Sequence, residues 1–157
     1  MKGSKKVIDA LNGLLTHEMS AADQYFIHSR MYDDWGMTEL FERLKHEQEE
    51  ELDHAAKLVE RILFLEGTPD VASRVALNIG KDVPSMMKSD LAYELSVVKE
   101  LKKVINVCEK EQDYVTRQIL IGLLDDTELD HTYWLEKQLG LIDKMGLKNY
   151  IQSKSST

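Results

Sequence analysis

The strongest constraint on this sequence is a set of four long stretches in which apolar residues recur three and four positions apart. This spacing places the apolar side chains along one side of a helix, so each stretch predicts an amphipathic helix that must bury one face. Two prolines and eight glycines among 157 residues are too few turn signals for a sheet protein. The sequence therefore predicts an all-α fold built from helices that pack on each other.

Turn residues predict where these helices begin and end. We expect the first helix to stop at residues 33–36, where Asp-Asp-Trp-Gly gathers turn signals. The second should begin with Thr38 as its N-cap and end at Gly67. The third should begin at Pro84 and stop near Gln112, which leaves only a short link to the fourth.

The remaining connections define the predicted topology. The fourth helix should end around Gly140, and residues 147–151 predict a short fifth helix before a polar tail. Two short links and one long connection, residues 67–83, are typical of a four-helix bundle whose middle connection crosses its length. We expect residues 1–157 to form a single domain.

Charge and composition limit the classes of partner. The formal net charge is −8, which disfavours nucleic acid and suits a protein that handles cations. No run approaches the roughly 18 apolar residues of a membrane span, and the first residues lack the apolar core of a signal peptide. The lone Cys108 cannot form an intrachain disulfide. We therefore expect a cytoplasmic protein that binds neither membrane nor nucleic acid.

Each of the four apolar faces is interrupted by acidic residues or histidines where another apolar residue is expected. A buried carboxylate without a partner is costly, so such positions require a counter-charge or a metal ion. The interrupting residues are Glu18 in the first helix, Glu51 and His54 in the second, Glu94 in the third, and Glu128 and His131 in the fourth.

These positions form an internal repeat with an offset of about 76 residues. Glu51-x-x-His54 in the first half recurs as Glu128-x-x-His131, and a single glutamate stands about 33 residues before each motif. Glu-x-x-His places a carboxylate and an imidazole on one helical face, so the carboxylate can bridge two metals while the imidazole binds one. The repeat predicts a di-iron centre inside the bundle.

Three further residues on the second helix are additional metal-binding candidates. Glu47 lies in a run of glutamates that surrounds the helix, so it either reaches the metal or belongs to the solvated surface. His46 and Glu50 share another face and either hold iron in transit or form an exposed polar pair. His17 and His28 lie off the ligand face, and we expect them at the surface or an interface.

Several stretches resemble bacterioferritins and the bacterial ferritins over nearly the whole chain, namely residues 23–26, 61–67, 134–136, 145–147 and 149–150. The resemblance implies a hollow cage of about twenty-four subunits that holds a ferric mineral. It also implies that the six repeated residues form a ferroxidase centre that oxidises Fe(II) with O2 or H2O2. Glu51 and Glu128 would be its bridging carboxylates.

One position departs from the bacterioferritin pattern. Bacterioferritins ligate haem b through a methionine that directly follows the first-motif glutamate, and this chain has Leu52 there. Leucine has no sulfur lone pair, so the position disfavours haem bound in that way. The resemblance leaves open a cage mixed with a haem-binding paralogue and a small redox protein as the partner for iron release.

Three other functions use the same features. A di-iron or di-manganese oxidase acting on an organic substrate or peroxide would need the same ligands. A DNA-protecting miniferritin resembles this chain less, because its ligands come from two subunits. A purely structural bundle would pair its core polar residues with each other, and its melting would not change when ferrous iron is added anaerobically.

Overall fold

The structure is a computed structural model that describes residues 1–155. Its regular secondary structure is helical, and residues 1–155 contain no strand. The helices are α1 (Lys5–Asp34), α2 (Thr38–Phe64), α3 (Val83–Lys110), α4 (Tyr114–Asp126), α5 (Tyr133–Met145) and α6 (Leu147–Lys154), with a π-helical segment (Thr127–Thr132) between α4 and α5. No helix within residues 1–155 combines the length and the apolar character that a membrane crossing needs.

The long helices form the predicted four-helix bundle. α1 packs along α2 and against α3, and α3 packs against the unit formed by α4, the π segment and α5. The predicted fifth helix is also present, although it extends to Lys154 rather than stopping at residue 151. The last two residues of the predicted polar tail, 156 and 157, lie outside the described residues.

Two separate apolar clusters make up the core, one toward each end of the bundle. The first contains Leu11, Leu58 and Leu101, and the second contains Leu40 and Leu135. Each fully buried leucine stabilises the fold by about 1.5–3 kcal/mol. Each of the four helical units, namely α1, α2, α3 and the unit from α4 to α5, runs from one cluster to the other. The acidic residues and histidines that interrupt the apolar faces lie between the two clusters.

Most helix ends follow the turn chemistry of the sequence, but the prediction of Thr38 as the N-cap of α2 is wrong, because Met37 is the N-cap and Thr38 is the first residue of the helix. α3 begins with a capping box in which the Asp82 carboxylate accepts from the Ser85 amide at 2.9 Å. The prediction that the fourth helix ends at Gly140 is wrong, because α5 continues to Met145. A glycine inside a helix costs only about 1 kcal/mol, and packing of Ile142 against the second apolar cluster offsets it. Gly146, with a φ of 81°, is the residue that ends the helix.

The long connection, residues 65–82, follows the side of α1 and is held there by buried polar side chains. Ser20 Oγ accepts from the Val75 amide at 2.9 Å, and His28 Nε2 accepts from the Gly80 amide at 3.1 Å. His28 is fully buried. The expectation that His28 lies at the surface or an interface is therefore wrong, because it is needed to satisfy the backbone of the crossing segment.

Candidate metal centre

Two groups of potential metal ligands meet in the middle of the bundle, and both contain Glu51. One group is Glu18, Glu51 and His54, and the other is Glu51, Glu94 and His131. Within each group, one ligand atom per residue lies within 4.8 Å of the others. A shared carboxylate with one imidazole on each side is the arrangement that can hold two cations next to each other.

The two histidines are arranged almost symmetrically around Glu51. His54 Nδ1 lies 3.1 Å from Glu18 Oε2, and His131 Nδ1 lies 2.8 Å from Glu51 Oε1 and 3.4 Å from Glu94 Oε1. Their rings stack with centroids 5.8 Å apart and an interplanar angle of 11°. All five side chains are buried, and they reach the centre from α1, α2, α3 and the π segment, through the gap between the apolar clusters.

Oxygen atoms in this centre lack hydrogen-bond donors. Among residues 1–155, Glu51 Oε2 and Glu94 Oε2 are buried and accept no hydrogen bond. A buried carboxylate oxygen left without a donor costs more than the usual 1–3 kcal/mol of a neutral group. The donor set consists of hard oxygens and imidazole nitrogens, which suits a first-row transition metal. The residues present therefore fit a pair of cations that would satisfy these oxygens.

The electrostatics of the metal-free centre favour protons where cations would sit. Burial raises the pKa of Glu51 well above its usual value, and the charges of Glu18 and Glu94 raise it further. Burial alone would lower the pKa of His131, but hydrogen bonds to Glu47, Glu51 and Glu94 outweigh it and raise that pKa. Without metal, the centre thus holds protons that a bound cation must displace.

In the ligand group of Glu18, Glu51 and His54, the Glu18 carboxylate and the His54 imidazole affect each other's pKa. Burial tends to raise the pKa of Glu18, but hydrogen bonds with Glu51 and His54 outweigh it and the net pKa is lowered. Burial likewise tends to lower the pKa of His54, and its contact with Glu18 reverses the direction. The lowered pKa favours the ionised form of Glu18 in the buried centre.

Glu128 is the one predicted ligand that the structure places outside the centre. Its side chain is 47% exposed, and its Oε1 lies 3.7 Å from Lys102 Nζ. The expectation that Glu128 faces inward rested on a continuous α-helix. In the π segment the hydrogen bonds run from i to i+5 and each turn holds more residues, so Glu128 and His131 no longer share a face.

Thr127 occupies the inward position next to the centre instead. It is fully buried, and its Oγ1 donates to the Leu123 carbonyl at 2.8 Å. The inward face therefore runs through Leu123, Thr127, His131 and Leu135. No apolar pattern in the sequence signals this shift, because Leu124 and Leu135 suit an uninterrupted helix equally well.

The additional candidates on α2 form a line from the centre to the surface. Glu47 is buried and its Oε2 lies 2.7 Å from His131 Nε2, so the reading of Glu47 as solvated surface is wrong. Glu50, 24% exposed, approaches the same nitrogen at 2.7 Å and contacts His46 Nε2 at 2.7 Å. His46 itself is 56% exposed. Glu47, Glu50 and His131 make a third group of possible ligands.

A buried polar network beside the centre was not predicted from the sequence. His28 Nδ1 and Gln24 Nε2 each lie 2.8 Å from Asp90 Oδ1, and Tyr25 donates its hydroxyl proton to Glu94 Oε1 at 2.5 Å. Asp90 lies one turn before Glu94 on α3, at a position where helical spacing alone signals a polar interruption. The network anchors α1 against α3 and orients Glu94.

Two other residues singled out by the sequence lie away from the centre. Leu52, which occupies the haem-methionine position of the bacterioferritin pattern, is 44% exposed on α2. Cys108 is buried in the first apolar cluster, where burial raises the pKa of its thiol to about 11. Such a thiol is protonated at neutral pH and is not a nucleophile.

Comparison with known proteins agrees with this geometry. Residues 8–145 match the family described as Ferritin-like domain. The chain is 59% identical to the bacterial ferritin of Paramagnetospirillum magnetotacticum over 98% of its length and 94% of that protein's. It is 54% identical to the bacterial ferritin of Synechocystis sp. over 99% of its length and 100% of that protein's.

A more distant relative is the bacterioferritin of Mycolicibacterium paratuberculosis, which is 39% identical over 96% of this chain and 94% of that protein. Identity is thus higher to the bacterial ferritins named above than to this bacterioferritin. A four-helix bundle with carboxylate and histidine groups that fit a di-iron site, together with matches over nearly the whole chain, shows that the protein belongs to the ferritin family.

Proposed function

We propose that this protein stores iron and oxidises Fe(II) to Fe(III) at the centre described above. The observation that carries the proposal is the sharing of Glu51 by two ligand groups, one with His54 and one with His131. Two adjacent cations with a common carboxylate are suited to a reaction that takes one electron from each ion. Iron is the substrate of this reaction and passes on into the stored mineral.

In the proposed reaction, two Fe(II) ions each lose one electron. O2 accepts both electrons and takes up two protons to give H2O2, or H2O2 accepts them with two protons to give two waters. Carboxylate oxygens from Glu18, Glu51 and Glu94 stabilise the more highly charged Fe(III) product, because hard anionic ligands prefer the harder cation. The buried site keeps these charges in a low dielectric, where their attraction for the cations is strong.

We assign Glu128 as the sixth ligand and the second bridging carboxylate, reached when metal is bound. Among the described residues, its outward position leaves it paired with Lys102, in a solvent-exposed ion pair worth about 0–1 kcal/mol. Glu128 lies in the π segment, and such segments are frequent at functional sites. Glu128→Ala should therefore weaken the binding of the second Co2+ ion in a titration, whereas Glu136→Ala, an exposed control on α5, should not. Equal binding by both variants would remove Glu128 from the ligand set.

His46, Glu50 and Glu47 are assigned a transport role beside the centre. They lead from the exposed imidazole of His46 through the partly exposed carboxylate of Glu50 to the buried carboxylate of Glu47. Glu50 lies 2.7 Å from His46 Nε2, and both carboxylates lie 2.7 Å from His131 Nε2. Iron moving between the centre and the mineral can be handed along such a line of ligands. Glu50→Ala should slow mineral growth more than the first oxidation, which rapid-mixing absorbance separates.

Family membership supports the remaining features of the proposal. We propose a cytoplasmic cage of about twenty-four single-domain copies with the mineral inside. The cage would be made of this chain alone or mixed with a haem-binding paralogue. A small redox protein is the proposed partner for iron release, and Leu52 makes this chain a poor ligand for haem b.

The function is tested by adding ferrous iron aerobically to the metal-free protein and following ferric absorbance and particle size. Glu51→Ala should lose the rapid phase, because both ions lose their common ligand. Glu49→Ala, an exposed glutamate two positions away on the same helix, is the matched control and should oxidise iron at the wild-type rate. Equal rates in all three proteins would place the oxidation elsewhere.

A further inference from the structure

Each histidine of the centre presents one ring nitrogen to the ligand group and the other to a second carboxylate. His54 Nδ1 faces Glu18, and its Nε2 lies 3.3 Å from Asp126 Oδ2. His131 Nδ1 faces Glu51, and its Nε2 lies 2.7 Å from Glu47 and from Glu50. Asp126 is the last residue of α4 and belongs to neither ligand group around Glu51.

We infer that Asp126 is a positioning residue for His54, selecting the tautomer and ring orientation in which Nδ1 can bind metal. The inference rests on the proposed function of the two-metal centre. An imidazole binds a cation through an unprotonated nitrogen, so the proton must reside on the other one. A carboxylate that accepts the Nε2 proton fixes that arrangement, holds the ring plane and makes Nδ1 a stronger donor.

The surroundings of Asp126 suit this role. Its side chain is 51% exposed, so the carboxylate stays in contact with solvent while one oxygen reaches the buried ring. The residue after it, Thr127, is fully buried and begins the π segment, which fixes the backbone from which Asp126 projects.

The two halves of the centre differ in how their histidines are held. His131 Nε2 has two carboxylates within 2.7 Å, one of them buried, whereas the pairing of His54 Nε2 depends on Asp126 alone among the described residues. Removing Asp126 should thus affect the ion bound by His54 and leave the ion bound by His131 in place. This asymmetry separates a positioning role from a general effect on the fold.

The test is a titration of the full-length, metal-free protein with Co2+, followed by its visible absorption bands. We expect two ions per subunit for the wild type. Asp126→Ala should weaken one of them by about 10- to 100-fold, the effect typical of such outer carboxylates. Asp126→Asn, which keeps an acceptor oxygen without the charge, should fall between the two. Asp125→Ala, an exposed neighbour, is the matched control and should bind like the wild type.

The outcomes distinguish the positioning role from the function on which it rests. Wild-type binding of two ions with no change in Asp126→Ala would overturn the role of Asp126 and leave the two-metal centre standing. Equal weakening of both ions together with a lower melting temperature of the metal-free variant would also overturn it, since that is the pattern of a structural residue. Failure of the wild type to bind Co2+ at all would overturn both inferences.

Discussion

Replacing Glu51 by glutamine should stabilise the metal-free protein while it destroys metal binding. In the metal-free centre Glu51 is buried between Glu18 and Glu94, and burial and their charges raise its pKa. At neutral pH the carboxyl must either keep its proton or ionise beside two other acids, and both states cost free energy. Glutamine has nearly the same shape, still accepts from His131 Nδ1 and adds an amide donor for a neighbouring carboxylate.

The expected size of the effect follows from the burial of this group. Replacing a whole buried ion pair by well-packed neutral residues is often stabilising by about 1–4 kcal/mol, and here only the crowded carboxyl is replaced. Because glutamine keeps its polar atoms buried, we expect the low end, about 1–2 kcal/mol. For a chain of this length each kcal/mol raises Tm by about 2–4 °C, so the metal-free variant should melt about 2–8 °C higher than the wild type.

The response to metal should have the opposite sign. A cation that binds only the folded wild type, at about one hundred times its Kd, adds about 2.7 kcal/mol of stability per site. Glu51→Gln should gain almost none of this, because a neutral amide oxygen is a weak bridging ligand. Scanning calorimetry with chelator and then with Zn2+ measures both effects, and Glu49→Gln serves as the surface control. A metal-free variant less stable than the wild type would refute this account of the crowded carboxylates.

Three further predictions concern the same region. The affinity for Zn2+ should rise with pH, because the raised pKa values of Glu51 and His131 mean that the metal-free centre holds protons that the ion displaces. Proton release into a weak buffer measures this, and an affinity that does not change with pH would contradict it. In the metal-free protein, the raised pKa of His131 contributes stability that is fully present below the unfolded value near 6.5 and is lost progressively as pH rises above it toward the higher folded value. Urea unfolding at a series of pH values above 6.5 checks this, and a free energy of unfolding that rises with pH there would contradict it. Asp90→Ala should cost about 3–5 kcal/mol in chemical unfolding, because it leaves His28 and Gln24 buried without their common partner, and a loss below about 1 kcal/mol would show that water replaces the carboxylate.

Helical spacing and turn residues were sufficient to predict the bundle from the sequence. The C-terminal end of α1 follows from the Asp-Asp-Trp-Gly turn and the start of α3 from Pro84, and both are local signals. The end of the fourth helix was misplaced because Gly140 is tolerated where Ile142 packs into the core, an effect of tertiary contacts that a local pattern does not contain.

Most of the metal centre was also predicted from helical spacing. The prediction was wrong for Glu128, again because a local pattern does not contain the structural change that moves this residue. Five of the six predicted ligands gather around Glu51, since their spacing on continuous helices determines which way they face. Glu128 does not, because the π segment changes the number of residues in a turn without changing the apolar pattern on either side. The role of His28 and Asp90 was missed because their pairing depends on how α1 packs against α3, and the second contact of His28 depends on where the connection at residues 65–82 crosses α1.

The central claim is that two metal ions bind side by side on a common Glu51. A crystal structure of the protein loaded anaerobically with Fe(II), with anomalous scattering recorded at the iron edge, tests it most directly. We predict two iron peaks about 3.5–4 Å apart, one next to His54 and one next to His131, with Glu51 between them. A single peak, or iron found only at surface residues such as His46, would contradict the two-metal account.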